Sequence, residues 1–201
     1  MKKFASTGFI AGAILFGVAS CSQEQGAVEE AQETNEQRAE DTAMEDQMTN
    51  MSDFMTRAAS SNMLEVQAGQ LAQQKGLMQE VKSYGQMMVT DHQKAGDQMK
   101  QLAQQKNVVL PDSMSQEHME QLEELRNANG AEFDNQYIDL MVSSHENTVS
   151  LFEDASNDIE DQEVKSFATT MLPSLRQHLE QARQLNETTD NTTNAGTPTE
   201  Q

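Results

Sequence analysis

The sequence predicts an all-α fold, a four-helix bundle with a helical crossover between its second and third helices. Three observations predict it. Four segments each carry one line of apolar and small residues at steps of three and four, the spacing that gathers side chains on a single helix face. The stretch between the second and third segments is long enough to carry the chain back along a whole helix. Residues 84–92 and 137–145 share Tyr, Met, Val and His at identical spacing, as expected of duplicated helices in equivalent positions.

The first helix can be capped by Ser52, and its seam reads Phe54, Ala58, Ser61, Glu65, Ala68, Ala72. After a break near Gly76 the second reads Val81, Gly85, Met88, His92, Ala95, Met99, Leu102. Pro111 ends it, and a short helical stretch around Met114 to Asn127 belongs to the connector of residues 108–130, where His118 is expected to be exposed. A helix of about 26 residues is about 39 Å long. A connector of this size returns the chain to the starting end, so helices two and three should run parallel. The third seam is Ile138, Met141, His145, Thr148, Phe152, Ala155, and the fourth is Val164, Ala168, Met171, Leu175, His178, Ala182, Leu185. Pro173 removes an amide donor from the fourth helix, which predicts a kink beside His178.

Each seam is interrupted at its middle by one ionisable residue: Glu65, His92, His145 and His178. Counting rise from the helix ends puts Glu65 and His178 about 15 Å above one end of the bundle, and His92 and His145 about 21 Å above it. Side chains lean toward the N-terminus of their own helix, so opposed helices tilt these groups toward each other. Two readings stand. One carboxylate and three imidazoles make a first shell for zinc, copper or ferrous iron. Met88 and Met141, one turn before His92 and His145, would add thioether sulfur and favour copper(I), in a chain with 14 methionines. Asp91 and Glu146, each next to a histidine, are further candidates to support the site. In the other reading the methionines are adaptable core packing, and the Glu and His residues satisfy one another in a metal-free polar layer.

The N-terminus carries a different message. Lys2 and Lys3, an apolar run from Phe9 to Val18 and small residues before a cysteine form a signal peptide over residues 1–20. The apolar run falls short of the about 20 residues a membrane span needs. Val18-Ala19-Ser20-Cys21 resembles the bacterial lipobox, and Cys21 is the one cysteine in the chain. Acylation there would anchor the protein to a membrane, since several chains hold where one is marginal. Ser22 is compatible with sorting to the outer membrane, facing the periplasm. Residues 21–51 are polar and acidic and are expected to be a flexible tether, the domain should span 52–186, and residues 187–201 should form a disordered tail.

Removing Lys2 and Lys3 with the signal leaves 11 of the 13 basic side chains against 33 acidic ones, a mature net charge of −22. Such a field opposes nucleic acid, which needs basic patches; it would favour cations and basic surfaces, or else is a solvated acidic surface that keeps the protein in solution. No nucleophile elbow or phosphate-cradling glycine loop is present, which ranks catalysis behind binding.

The domain resembles the bacterial family known as domain of unknown function 4142, of the ferritin-like superfamily. The resemblance rests on Phe54 and Asn62-x-x-Glu65-Val66, Met88-Val89-x-Asp91-His92, Phe133-Asp134-x-x-Tyr137, Met141-Val142-x-x-His145-Glu146, and Leu172-Pro173-x-Leu175-x-x-His178-Leu179. It implies a ferritin-like bundle and a periplasm-facing location. The family commonly has Asp before the third-helix histidine, where this chain has Ser144. Di-iron ferritin-like proteins carry Glu-x-x-His on two helices. Here Val89, Val142 and Leu175 stand three before the histidines, so di-iron chemistry does not carry over. Two functional classes follow: a lipoprotein that binds a transition metal, and a metal-free structural or protein-interaction module of the cell envelope.

Overall fold

The structure, a computed structural model, describes residues 26–40 and 45–194, with side chains through 189. The signal peptide, Cys21 and residues 195–201 lie outside the described residues. Six helices are seen among them and no strand: α1 (Ala27–Glu40), α2 (Glu45–Lys75), α3 (Gln79–Lys106), α4 (Gln116–Asn127), α5 (Ala131–Asp158) and α6 (Gln162–Asn194). None of the described helices is long and apolar enough to cross a membrane.

The four seams are the inward faces of α2, α3, α5 and α6. All six seam residues of α2 and all six of α5 are buried. Helix α2 packs on α3, α5 packs on α6, and the two hairpins close through α2 with α5 and α3 with α6. On α2 and α3 the backbones approach closely. A Cβ on Gly85 would stand 2.7 Å from the Ala72 Cβ and 2.8 Å from the Gly69 carbonyl, so only glycine fits there.

The direction of α5 is fixed by a long-range cap. Met78 precedes α3 without a side-chain cap of its own. Instead the buried Asp134, in the first turn of α5, accepts from the Leu77 and Met78 amides at 2.9 and 2.7 Å. The starts of α3 and α5 therefore lie together, and the two helices run parallel as the echo in sequence predicts.

Helix α3 ends at Asn107, which takes a left-handed conformation (φ 56°) while Val108 bonds back to Ala103 at 2.9 Å. The crossover is then pinned to α2. Ser60 Oγ accepts from the Ser115 amide at 2.9 Å and lies 2.7 Å from His118 Nδ1. His118 is thus half-buried and partnered rather than exposed, because α4 lies over α2 instead of looping into solvent.

Two expectations at the ends need correction. Residues 27–40 of the expected tether form α1, and α2 begins at Glu45, so Ser52 lies inside a helix, buried, and donates to the Thr49 carbonyl at 3.0 Å. The face α1 buries is made of Val28, Ala31, Asn35 and Ala39. Asn35 donates to the Val109 carbonyl at 2.9 Å and accepts from its amide at 2.8 Å. Gln32 reaches Asp53 at 3.1 Å. Small side chains and directed hydrogen bonds hold this helix, where large apolar residues are few. At the other end α6 continues through 187–194, past the expected start of the tail, since no Gly or Pro interrupts the chain before Gly196. It also runs through Pro173.

Candidate metal centre

The bundle core is two apolar clusters with a polar layer between them. One cluster gathers Phe54, Met55, Met99, Phe152 and Leu172. The other gathers Leu64, Met88, Tyr84, Phe133, Tyr137 and Met141. Along every bundle helix the ionisable seam residue falls between a member of one and a member of the other. Glu65, His92, His145 and His178 are therefore at one level, all buried.

The three histidine rings form a nearly equilateral triangle, with centroids 5.5 Å (His92 to His145), 5.4 Å (His92 to His178) and 5.5 Å (His145 to His178) apart. One ring nitrogen from each lies within 4.8 Å of the others. Each ring is held through one nitrogen. His92 Nδ1 is 2.8 Å from Glu65 Oε2. His145 Nδ1 donates to the Met141 carbonyl at 2.9 Å, and His178 Nε2 donates to Asp91 Oδ2 at 3.0 Å. Tyr84 fixes the backbone beneath by donating to the His178 carbonyl at 3.1 Å. Nε2 of His92, Nε2 of His145 and Nδ1 of His178 are buried and without a hydrogen-bond partner, as are Glu65 Oε2 and the Tyr137 hydroxyl.

Glu65 joins the layer through ring and hydroxyl contacts. Ser144 donates to its Oε1 at 2.6 Å, and His145 Nδ1 lies 3.7 Å from the same oxygen. Behind Ser144, Ser61 lies 3.4 Å from it and 2.9 Å from Thr148, extending a buried hydroxyl cluster. The groups that converge on one point are the three histidines, and the carboxylate stands beside them.

The electrostatics follow from this arrangement. Burial alone would lift the Glu65 carboxyl, but His92, His145 and the hydrogen bonds from His92 and Ser144 together hold it well below the usual carboxylate range. Burial opposes charge on His92, yet Glu65 outweighs it and the pKa of His92 is raised. His145 is lowered, first by burial, against the pull of Glu65. His178 is lowered to about 4, by burial and then by the neighbouring His92 and His145. Two imidazoles are thus neutral, with lone pairs free, at neutral pH.

The supporting residues divide. Asp91 does hold a histidine, though on α6 rather than its own helix. Met88 and Met141 are wholly buried in the apolar cluster, and the contribution of Met141 to the site is its carbonyl. Glu146 faces out and pairs with Arg183 at 2.8 Å, because the residue after a core histidine is turned about 100° away from the seam. The sequence places Ser61 on the first seam and Ser144 where the family commonly has Asp, without giving either a role in the layer. A period-matched polar residue beside the seam was the available signal.

These features define a helical bundle with a buried three-histidine layer. Residues 31–185 match Domain of unknown function (DUF4142), and the chain belongs to that family. A search of curated proteins finds no match. Among solved structures the chain is similar to "CopM in the Cu(II)-bound form", with a TM-score of 0.60 at 20% sequence identity, over 69% of this chain and 96% of that one. At that identity the likeness shows the all-helical fold.

Proposed function

We propose that the protein binds a transition metal, copper first among candidates, through His92, His145 and His178, and that Cys21 is lipidated and holds it on a cell-envelope membrane facing the periplasm. One observation carries the metal reading: three buried histidines with ring nitrogens within 4.8 Å of one another, each ring keeping one buried nitrogen without a hydrogen-bond partner. Left unmade, each such group costs about 1–3 kcal/mol. Three imidazoles suit copper and zinc, and the second nitrogen of a ligating histidine is normally held by a carboxylate or backbone carbonyl. Here all three rings have such a partner. The anionic Glu65 beside them offsets cation charge in a buried site. The copper carried by CopM, a bundle of similar fold, supports the choice of metal. A metal-free polar layer accounts for the Ser144 bond to Glu65 Oε1 but leaves the three nitrogens without a partner.

The test is a melting series with zinc, copper and ferrous iron, on the wild type and the His92→Ala plus His145→Ala double variant, with metal analysis of protein purified without an affinity tag. A rise in melting temperature with metal, absent from the double variant, is expected. No rise with any of the three would overturn the reading.

A further inference from the structure

The three-histidine centre is buried, so an ion must reach it by a route, and the seams of the bundle are not equal. Two clefts approach the polar layer from opposite sides. The first, of about 300 Å³, lies between α3 and α6 and is lined by His92 and His178 themselves, with Asp91, Gln98 and Ser174 toward its rim. The second, of about 480 Å³, lies over α2, α4 and α5 and reaches Ser61 and Thr148. From there Ser144 still stands between it and Glu65.

We infer that the cleft between α3 and α6 is the portal through which the metal enters, with Asp91 as its first carboxylate contact. This rests on the three-histidine reading. Only the first cleft has candidate ligands in its own wall. The side chain of Asp91 is 49% exposed while the His178 ring it holds is 5% exposed, so this one hydrogen-bonded contact runs from solvent to the centre. An incoming cation meets a carboxylate already in contact with a ligand. Lys94, also on the wall, is the one lysine or arginine there. Helix α6 is also locally weakened on this side: Pro173 has no amide to bond the carbonyl one turn before it, next to Thr170, Met171 and Ser174 of the wall.

Narrowing the portal should change the rate of loading without changing the site. The exposed Ser174 and Gln98 are replaced from opposite walls, as Ser174→Phe and Gln98→Phe, and the exposed Ser150 of the rival cleft as Ser150→Phe. Copper(II) uptake by the full chain is followed in stopped flow through quenching of tyrosine emission. Both tyrosines, Tyr84 and Tyr137, are buried beside the layer, and circular dichroism checks each fold. The expected result is loading slowed about tenfold or more in both portal variants, a step in barrier rather than in binding energy, with wild-type copper content at the end point and an unchanged rate in Ser150→Phe. Portal variants that load at the wild-type rate, or a Ser150→Phe that slows alone, would overturn the portal and leave the metal site standing. Failure of the wild type to retain copper would overturn the site itself, and the portal with it.

Discussion

The Glu65 carboxylate and the His92 ring lie 2.8 Å apart in a place neither shares with solvent, one on α2 and the other on α3. Each charges the other: the acid is held ionised and the pKa of the imidazole is raised. To bind a metal through Nε2, His92 must give up the proton that this pairing favours, while Nδ1 keeps its own toward Glu65. Metal binding near neutral pH should therefore release protons. Calorimetry in buffers of different ionisation enthalpy measures it, and Glu65→Gln should abolish most of the release and cost about 1–3 kcal/mol of stability. Equal heats in all buffers for the wild type would refute this.

The metal-free protein should weaken on acidification. His145 and His178 have lowered pKa values in the fold, so the unfolded chain binds more protons than the native state between about 6.5 and 4, and stability falls as pH drops through that window. His92, with a raised value, acts in the opposite sense, giving stability below about 6.5 that is lost as pH rises through its folded pKa. Glu65, held ionised below its ordinary range, acts with His145 and His178 as the pH approaches 4. Urea midpoints at pH 7, 5.5 and 4 should decline in that order, and a midpoint that climbed toward pH 4 would count against the assignment.

Gly85→Ala should force α2 and α3 apart, since the new methyl would overlap the Ala72 side chain and the Gly69 carbonyl. The cost is about 1–3 kcal/mol, typical of overpacking. Because Gly85 and His92 share the seam of α3, copper affinity should fall as well. Unaltered melting and affinity would mean that the helices can separate freely.

Asp134→Ala strips the Leu77 and Met78 amides of their acceptor and unties α5 from the turn between α2 and α3. A loss of about 1–2 kcal/mol is expected from the missing cap, with partial recovery in Asp134→Asn. Denaturant unfolding checks both variants. A neutral Asp134→Ala would show that the cap is dispensable.

A chain beginning at Ser52 should be less stable than one beginning at Gly26, because it loses α1, the first turns of α2 and the pairing of Asn35 with Val109. Asn35→Ala in the longer chain should reproduce part of that loss, about 1–3 kcal/mol for the exposed and unpaired groups. Thermal melts of the three proteins decide it.

Much of the bundle was legible because period and rise are properties of the helix itself. Counting along four seams put Glu65, His92, His145 and His178 within about one turn of one level, and the lean of side chains toward their own N-termini closed the gap. Orientation within the layer was not legible. Whether a ring offers Nδ1 or Nε2 depends on rotamers set by tertiary partners, such as the Met141 carbonyl for His145 and the distant Asp91 for His178. Helix α1 was missed for another reason. Its buried face has alanines and one asparagine, and the asparagine's partners lie 74 residues away. No local count of apolar side chains can weigh a bond of that kind.

The packing of α1 bears on reach. Were residues 21–51 a slack leash, a protein held at Cys21 could sample a wide shell of space above the bilayer. With residues 27–40 docked on α2, the chain from Cys21 to Gly26 can span at most about 18 Å. For a chain anchored there, the bundle would ride low over the lipid headgroups, and partners or ions would have to come to it within the thin layer next to the membrane.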